Sequence, residues 1–415
     1  MRQAWRAAIL VVASSVQTLQ AGPAPTAPAG DNALARGQYL VQAANCISCH
    51  TAPNGKPFAG GRPFQTPYRF LGTLYSSNIT ADRDTGLGLW TEADFTRAMR
   101  SGVARDGSHL FPAFPYTAFT RLTTADIGAI YAYLRTVPVV RAKPPANSFW
   151  FEQRWAMVLW NALFFEAGES PPASGQSDEW HRGRYLALAL GHCDACHTPR
   201  NILLAERADA GMTGGSLMDE IETGKFRSWS APNLTAAQSG LARWSTEDLR
   251  TYLKTGHNRW AGTLGPMNDV IANSLQYLAD SDIAAMAVYL RSLPAGGDSA
   301  PFTPGADEHA GGRALYDRHC EECHRSSGRG GFRKAPPVAG SAIVQARDPA
   351  SLVNVILYGA RPAAQIPASF YTWEDMPAFR NKMTDAEVAR LSSFLRASWG
   401  NRGGRVPAAA VARQR

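Results

Sequence analysis

The chain has 415 residues, with 42 Lys and Arg against 34 Asp and Glu, a formal net charge of +8. That length exceeds one ordinary domain and predicts two to four, each able to bury a core. Hydrophobic residues make up 45%, as in soluble proteins, and no run of basic and aromatic residues suggests a nucleic-acid surface. At the N-terminus Arg2 and Arg6 precede a short apolar stretch, residues 7–16, and small residues Ala21, Ala24 and Ala27. This order predicts an export signal over residues 1–24, too short in its apolar part to span a bilayer. A buried N-terminal helix is the other reading.

All six cysteines fall in one motif, present three times: Cys46-Ile47-Ser48-Cys49-His50, Cys193-Asp194-Ala195-Cys196-His197 and Cys320-Glu321-Glu322-Cys323-His324. C-x-x-C-H is the attachment motif of c-type haem: two thiols bond the porphyrin vinyl groups and the histidine becomes the proximal iron ligand. A zinc site needs a second ligand pair nearby, which the wide spacing denies. A thioredoxin-like pair needs a βαβ setting that the sequence does not offer. The expectation is three covalently bound haem c, held by Cys46, Cys49, Cys193, Cys196, Cys320 and Cys323, with His50, His197 and His324 on the irons. The haem propionates and loss of Arg2 and Arg6 bring the mature charge close to neutral. Export fits, because bacteria attach haem c outside the cytoplasmic membrane.

The motifs head a repeated unit. Asn78-Ile79-Thr80 matches Asn233-Leu234-Thr235, and Trp90-Thr91-Glu92-Ala93-Asp94-Phe95 matches Trp244-Ser245-Thr246-Glu247-Asp248-Leu249. Residues 131–138 match 288–294, so the offset stays at roughly 150 residues throughout and marks a duplication. The third unit keeps the order with fewer shared letters. Gly37, Gly183 and Gly312 begin a leading helix into each motif. Middle helices are predicted over 91–101, 246–255 and 350–358, opening on capping residues and ending at Gly. Closing helices follow over 124–135, 281–291 and 384–397. The predicted fold is all-α, three tandem cytochrome c domains joined by Pro/Gly-rich linkers, because leading and closing helices around a haem crevice are the cytochrome c arrangement. The divisions are 33–140, 178–295 and 307–400. A linker with an apolar helix fills 141–177, a second linker 296–306, and a basic tail 401–415. Arg402, Arg405, Arg413 and Arg415 in that tail predict a solvated end, or docking on an acidic surface. Residues 148–165 carry three Trp and four Phe, interrupted by Glu152, Arg154 and Asn161. They suit a helix packed on the haem domains, or one docking on a membrane surface or partner. The Asn-x-Thr triplets fit the glycosylation pattern, but their place in the repeat argues for a structural role.

The sixth iron ligand is expected between the middle helix and the closing helix. Met267 fills that window in unit two and Met376 in unit three, with Met383 a rival beside the closing helix. In unit one Phe114 stands where Met is expected and cannot bind iron. His109, Met99 from the middle helix, or a five-coordinate iron remain as alternatives, His109 foremost. A bis-histidine centre would sit lower in potential than His/Met centres. His181, His192 and His257 show no partners in the sequence.

These strings, notably residues 49–61 and 77–80, Gly191-His192-Cys193 through Asn201, and Trp399-Gly400-Asn401, resemble the tri-haem cytochrome c subunits of bacterial membrane-bound dehydrogenases over nearly the whole mature chain. The resemblance covers cytochromes of alcohol, sugar-acid and aldehyde dehydrogenases, and those of molybdenum hydroxylases such as nicotinate or isoquinoline dehydrogenase. It implies an electron-transfer subunit with no catalytic residue of its own. It further implies a molybdenum, flavin or quinoprotein dehydrogenase catalytic subunit as partner, with a small Fe–S or chaperone-like subunit, and ubiquinone or a terminal oxidase as acceptor. It places the chain in the periplasm, peripherally on the cytoplasmic membrane. Phe114 within Pro112-Ala113-Phe114-Pro115-Tyr116 is similar to the molybdenum-hydroxylase cytochromes. The residues alone leave two other classes open: a peroxidase-like haem enzyme using an open site on haem one, and a freestanding carrier.

Overall fold

The computed structural model describes residues 33–415 except 67, 69, 70, 149–153, 223, 299, 300 and 362, so the export signal lies outside the described residues. Each sequence unit begins with a leading helix: Ala33–Ala43, Asp178–Tyr185 and Ala306–His319. Each ends with a closing helix: Thr124–Leu134, Asp280–Arg291 and Asp385–Ala397. The two helices cross at a glycine. A Cβ on Gly37 would strike the Ala129 carbonyl, one on Gly183 the Ala285 carbonyl, and one on Gly312 the Phe394 side chain. Only a residue without a side chain lets the backbones approach that closely.

The middle helices are Glu92–Ser101, Thr246–Thr255 and Ala350–Tyr358. Capping boxes open the first two, Thr91 with Asp94 and Ser245 with Asp248. All three end on a glycine with positive φ: Gly102, Gly256 and Gly359. The fold is largely helical but not all-α. A short antiparallel pair, β1 (Pro63–Gln65) and β2 (Thr73–Tyr75), lies in unit one, and a longer hairpin, β3 (Gly215–Glu222) and β4 (Lys225–Ala231), in unit two. The hairpin departs from the predicted class because its strands find cover on unit three. Ser230 and Ser351 exchange hydrogen bonds at 2.9 Å, and Asn354 Nδ2 donates to the Ser228 carbonyl at 2.8 Å.

The described apolar residues form two cores, not one for each unit. Leu40, Ile127 and Ile130 of unit one join Leu186, Leu190, Ile283 and Leu290 of unit two in one cluster. Tyr316, Leu357, Leu391 and Phe394 anchor the second. The first linker starts as part of unit one, where the Ser148 amide donates to the Thr73 carbonyl of β2 at 2.9 Å. The basic tail is not a solvated end. Val406 and Val411 are buried in the third unit's core, and the short helix Ala408–Ala412 caps it. Arg405 pairs with Glu308 and Arg415 with Asp385, which leaves these two charges engaged by their own domain.

In the first linker the helix Ala156–Phe164 buries no residue. It is held by Asn161, whose Oδ1 accepts from Tyr116 Oη at 2.6 Å, and by Trp160, whose indole donates to the Leu203 carbonyl at 2.9 Å. Trp155, Leu159 and Leu163 are each more than 60% exposed, beside exposed Ile202 and Leu203.

Candidate haem centres

Each C-x-x-C-H motif folds into a single helical turn: Cys46–Cys49, Asp194–His197 and Glu321–His324. That spacing sets the two thiols on one side of the turn, with the histidine directly after them. None of the six cysteines is in a disulfide. Burial pushes the Cys46, Cys193 and Cys320 thiols up to about 12 and that of Cys196 to about 11. The Cys49 thiol lies close enough to contribute to the Cys196 shift.

The three histidines share one second partner. His50 Nδ1 lies 2.7 Å from the Ser77 carbonyl, His197 Nδ1 2.7 Å from the Pro232 carbonyl, and His324 Nδ1 2.9 Å from the Pro336 carbonyl. A carbonyl only accepts, so each Nδ1 carries the proton and each Nε2 keeps a free lone pair. This is the second contact that orients an iron-bound imidazole. Burial pushes all three imidazoles down in pKa, with the carbonyl contact opposing it, a direction that favours the neutral form ligation requires.

The Asn-x-Thr turns hold the acceptor carbonyls, since Asn78 follows Ser77 and Asn233 follows Pro232. Asn78 Oδ1 accepts from the Thr80 amide at 2.9 Å, and its Nδ2 donates to the Val140 carbonyl at 2.7 Å. Asn233 repeats this with Thr235 at 2.8 Å and the Gly296 carbonyl at 2.7 Å. Both asparagines are buried, so their role is structural.

Two of the candidate sixth ligands, His109 and Met376, share a register. Met376 pairs through its backbone with Ala360, the residue after Gly359, and His109 pairs with Val103, the residue after Gly102. His109 therefore occupies in unit one the ladder position of Met376 in unit three. In unit two the same bridge is His257 with Gly262, and Met267 follows five residues later, as Phe114 follows His109. Met267 and Met376 each lie partly buried beside their core, whereas Met99 and Met383 are core residues. His109 Nδ1 is buried without a hydrogen-bond partner, as are the indole nitrogens of Trp229 and Trp373. Trp229 packs on Gly265 beside Met267, and Trp373 precedes Met376 by three residues. Orphaned polar atoms at these places fit a large polar-edged group rather than protein alone. Among the described residues no three His, Cys, Asp or Glu gather as a bare metal site would need. The donor set fits haem c, which supplies reversible one-electron chemistry at its iron.

Sequence reasoning missed four residues between units one and two: Tyr39, Asp126, Tyr185 and Asp282. Their matched places in the repeat were the available signal. Of the histidines without evident partners, His257 Nδ1 lies 3.2 Å from the Thr255 carbonyl, and His192 stacks edge-on against Phe119.

These sites and the helical frame define a c-type cytochrome. The family described as Cytochrome c matches residues 34–138, and that described as Cytochrome C oxidase, cbb3-type, subunit III matches residues 307–395. The chain is 36% identical to the "Alcohol dehydrogenase (quinone), cytochrome c subunit" of Gluconobacter oxydans (strain 621H), over 97% of this chain and 85% of that one. It is 37% identical to the "Gluconate 2-dehydrogenase cytochrome c subunit" of Pantoea cypripedii, over 90% of this chain and 87% of that one. It is 39% identical to a nicotinate dehydrogenase subunit of Pseudomonas putida, over 90% of this chain but 31% of that longer one. The chain belongs to the family of cytochrome c subunits of dehydrogenase complexes.

Proposed function

We propose that the chain is a tri-haem c-type cytochrome of three cytochrome c domains. It carries electrons from a periplasmic dehydrogenase catalytic subunit to ubiquinone or a terminal oxidase, and it performs no substrate chemistry itself. The observation that carries this reading is the threefold pairing of a motif histidine with a backbone carbonyl, which leaves three Nε2 atoms free for iron. Met267 and Met376 complete two irons, and His109 the first. The register that His109 shares with Met376 and its unpartnered Nδ1 support that assignment. Six-coordinate irons have no vacant position for a substrate, which separates a carrier from a peroxidase-like enzyme.

The catalytic partner is a molybdenum, flavin or quinoprotein dehydrogenase, with a small Fe–S or chaperone-like subunit in the complex. Relatives named for alcohol, gluconate and nicotinate dehydrogenases support a dehydrogenase as the partner. The chain works in the periplasm, peripherally on the cytoplasmic membrane. No described helix is long and apolar enough to cross a membrane, and the helix Ala156–Phe164 offers an exposed apolar face instead. The dithionite-reduced holoprotein mixed with a short-chain ubiquinone analogue, or with membranes containing a terminal oxidase, tests the role. Reoxidation of the haem absorbance is expected. Absence of reoxidation by either, or tight cyanide binding to the as-isolated ferric protein, contradicts it.

A further inference from the structure

Units one and two meet through contacts that come in reciprocal pairs. Tyr39, in the leading helix of unit one, donates to Asp282 Oδ2 of unit two at 2.6 Å, and its oxygen accepts from the Ala279 amide at 3.1 Å. Tyr185, in the leading helix of unit two, donates to Asp126 Oδ2 of unit one at 2.5 Å, and its oxygen accepts from the Thr123 amide at 3.3 Å. Each aspartate is also held by the arginine before its own unit's crossing glycine. Arg182 grips Asp282 in a buried bidentate pair at 2.8 and 2.6 Å, and Arg36 Nε meets Asp126 at 2.7 Å. Residue i touches j while its counterpart j touches i, which is the mark of an isologous two-fold interface, here between two halves of one chain.

The same surface carries the haem-attachment turns. Asn273, at the end of the helix that begins beside Met267, donates to Ser48 Oγ inside the first motif at 2.9 Å. In return Arg121, following the Phe114 loop, donates to Asp194 inside the second motif at 2.9 Å and to the Leu188 carbonyl at 3.2 Å. Unit three takes no part in this symmetry. Gly311 stands where Arg36 and Arg182 stand, and Ala314 where Tyr39 and Tyr185 stand.

We infer that units one and two form a pseudo-two-fold electron-transfer pair. Tyr39 and Tyr185 are positioning residues that hold each attachment turn against the other unit, and unit three is a separately attached relay. The inference rests on the proposed attachment of haem to all three motifs. With haem held on both motifs, the pair would pass a single electron from a ferrous to a ferric centre, with no bond or proton transferred.

Circular dichroism in the Soret band of the full-length holoprotein tests it, because close porphyrins give a split couplet. The Tyr39→Phe/Tyr185→Phe protein should keep three haems by intact mass while its couplet weakens by about twofold or more, as a site loosens when its supporting contacts are lost. Removing haem one with Cys46→Ala/Cys49→Ala should abolish most of the couplet, and removing haem three with Cys320→Ala/Cys323→Ala should leave most of it. An unchanged couplet in the double-tyrosine protein overturns the positioning role. A couplet that survives loss of haem one but not loss of haem three overturns the pairing. A wild-type mass short of three haems instead defeats the underlying attachment reading.

Discussion

At the scale of single residues, what fits these motifs to the proposed role of iron sites is a backbone oxygen. The carbonyls of Ser77, Pro232 and Pro336 fix the tautomer of His50, His197 and His324. The cysteines and histidines were legible in the sequence because the chemistry demands those letters at that spacing. The carbonyls were not, since any residue carries one; only the Asn-x-Thr turn that follows two of them left a trace. The proposed sixth ligands differ in the same way. A window narrowed the choice, but the alignment of His109 with Met376 emerges only from backbone pairing. Met376→Ala should lower the potential of one centre and remove part of the thioether-to-iron charge-transfer band, because a thioether favours the ferrous state. A redox titration with three unchanged midpoints would show that Met376 binds no iron.

At the scale of elements, helix ends and crossings carry the repeat. The sequence predicted the middle helices well because capping residues and a terminal glycine act locally. It did not reveal the hairpin of β3 and β4, in which β4 is bonded to Ser351 and Asn354, more than a hundred residues away. Gly183→Ala should destabilise unit two by about 3 kcal/mol, at the upper end of overpacking costs, because the new methyl meets the Ala285 carbonyl rather than a movable side chain. Chemical denaturation reads this, and an unchanged midpoint would contradict the close crossing. The capping carboxylates predict a pH dependence. Backbone and hydroxyl hydrogen bonds from Thr91 hold Asp94 below its usual range, and those from Thr384 do the same for Glu387. Groups with depressed values stabilise fully above the unfolded carboxylate pKa of about 4, and that contribution is lost as pH falls through the folded value. Stability should therefore drop from pH 5 to 3 less steeply in Asp94→Asn/Glu387→Gln than in the wild type; equal slopes would refute the assignment. The exposed linker helix gives the opposite expectation. Leu159→Glu/Leu163→Glu should change stability by no more than about 0.5 kcal/mol, as at any surface site. It should nonetheless abolish co-sedimentation with vesicles of phosphatidylethanolamine and phosphatidylglycerol, and retained binding would exclude this face as the membrane contact.

At the scale of the whole molecule, a threefold sequence repeat produces two cores among the described residues. Composition and spacing announced three units, but not that two of them merge, because the merger depends on which faces Tyr39 and Tyr185 turn toward each other. The tail shows the same limit: its arginines suggested a solvated end, while Val406 and Val411, two apolar letters among them, decide that it packs. The whole account requires every motif to be occupied. Intact mass of the denatured mature protein, purified from a host with haem-attachment machinery, measures this directly. Three haem equivalents retained through denaturation is the predicted result; two, one or none would contradict it.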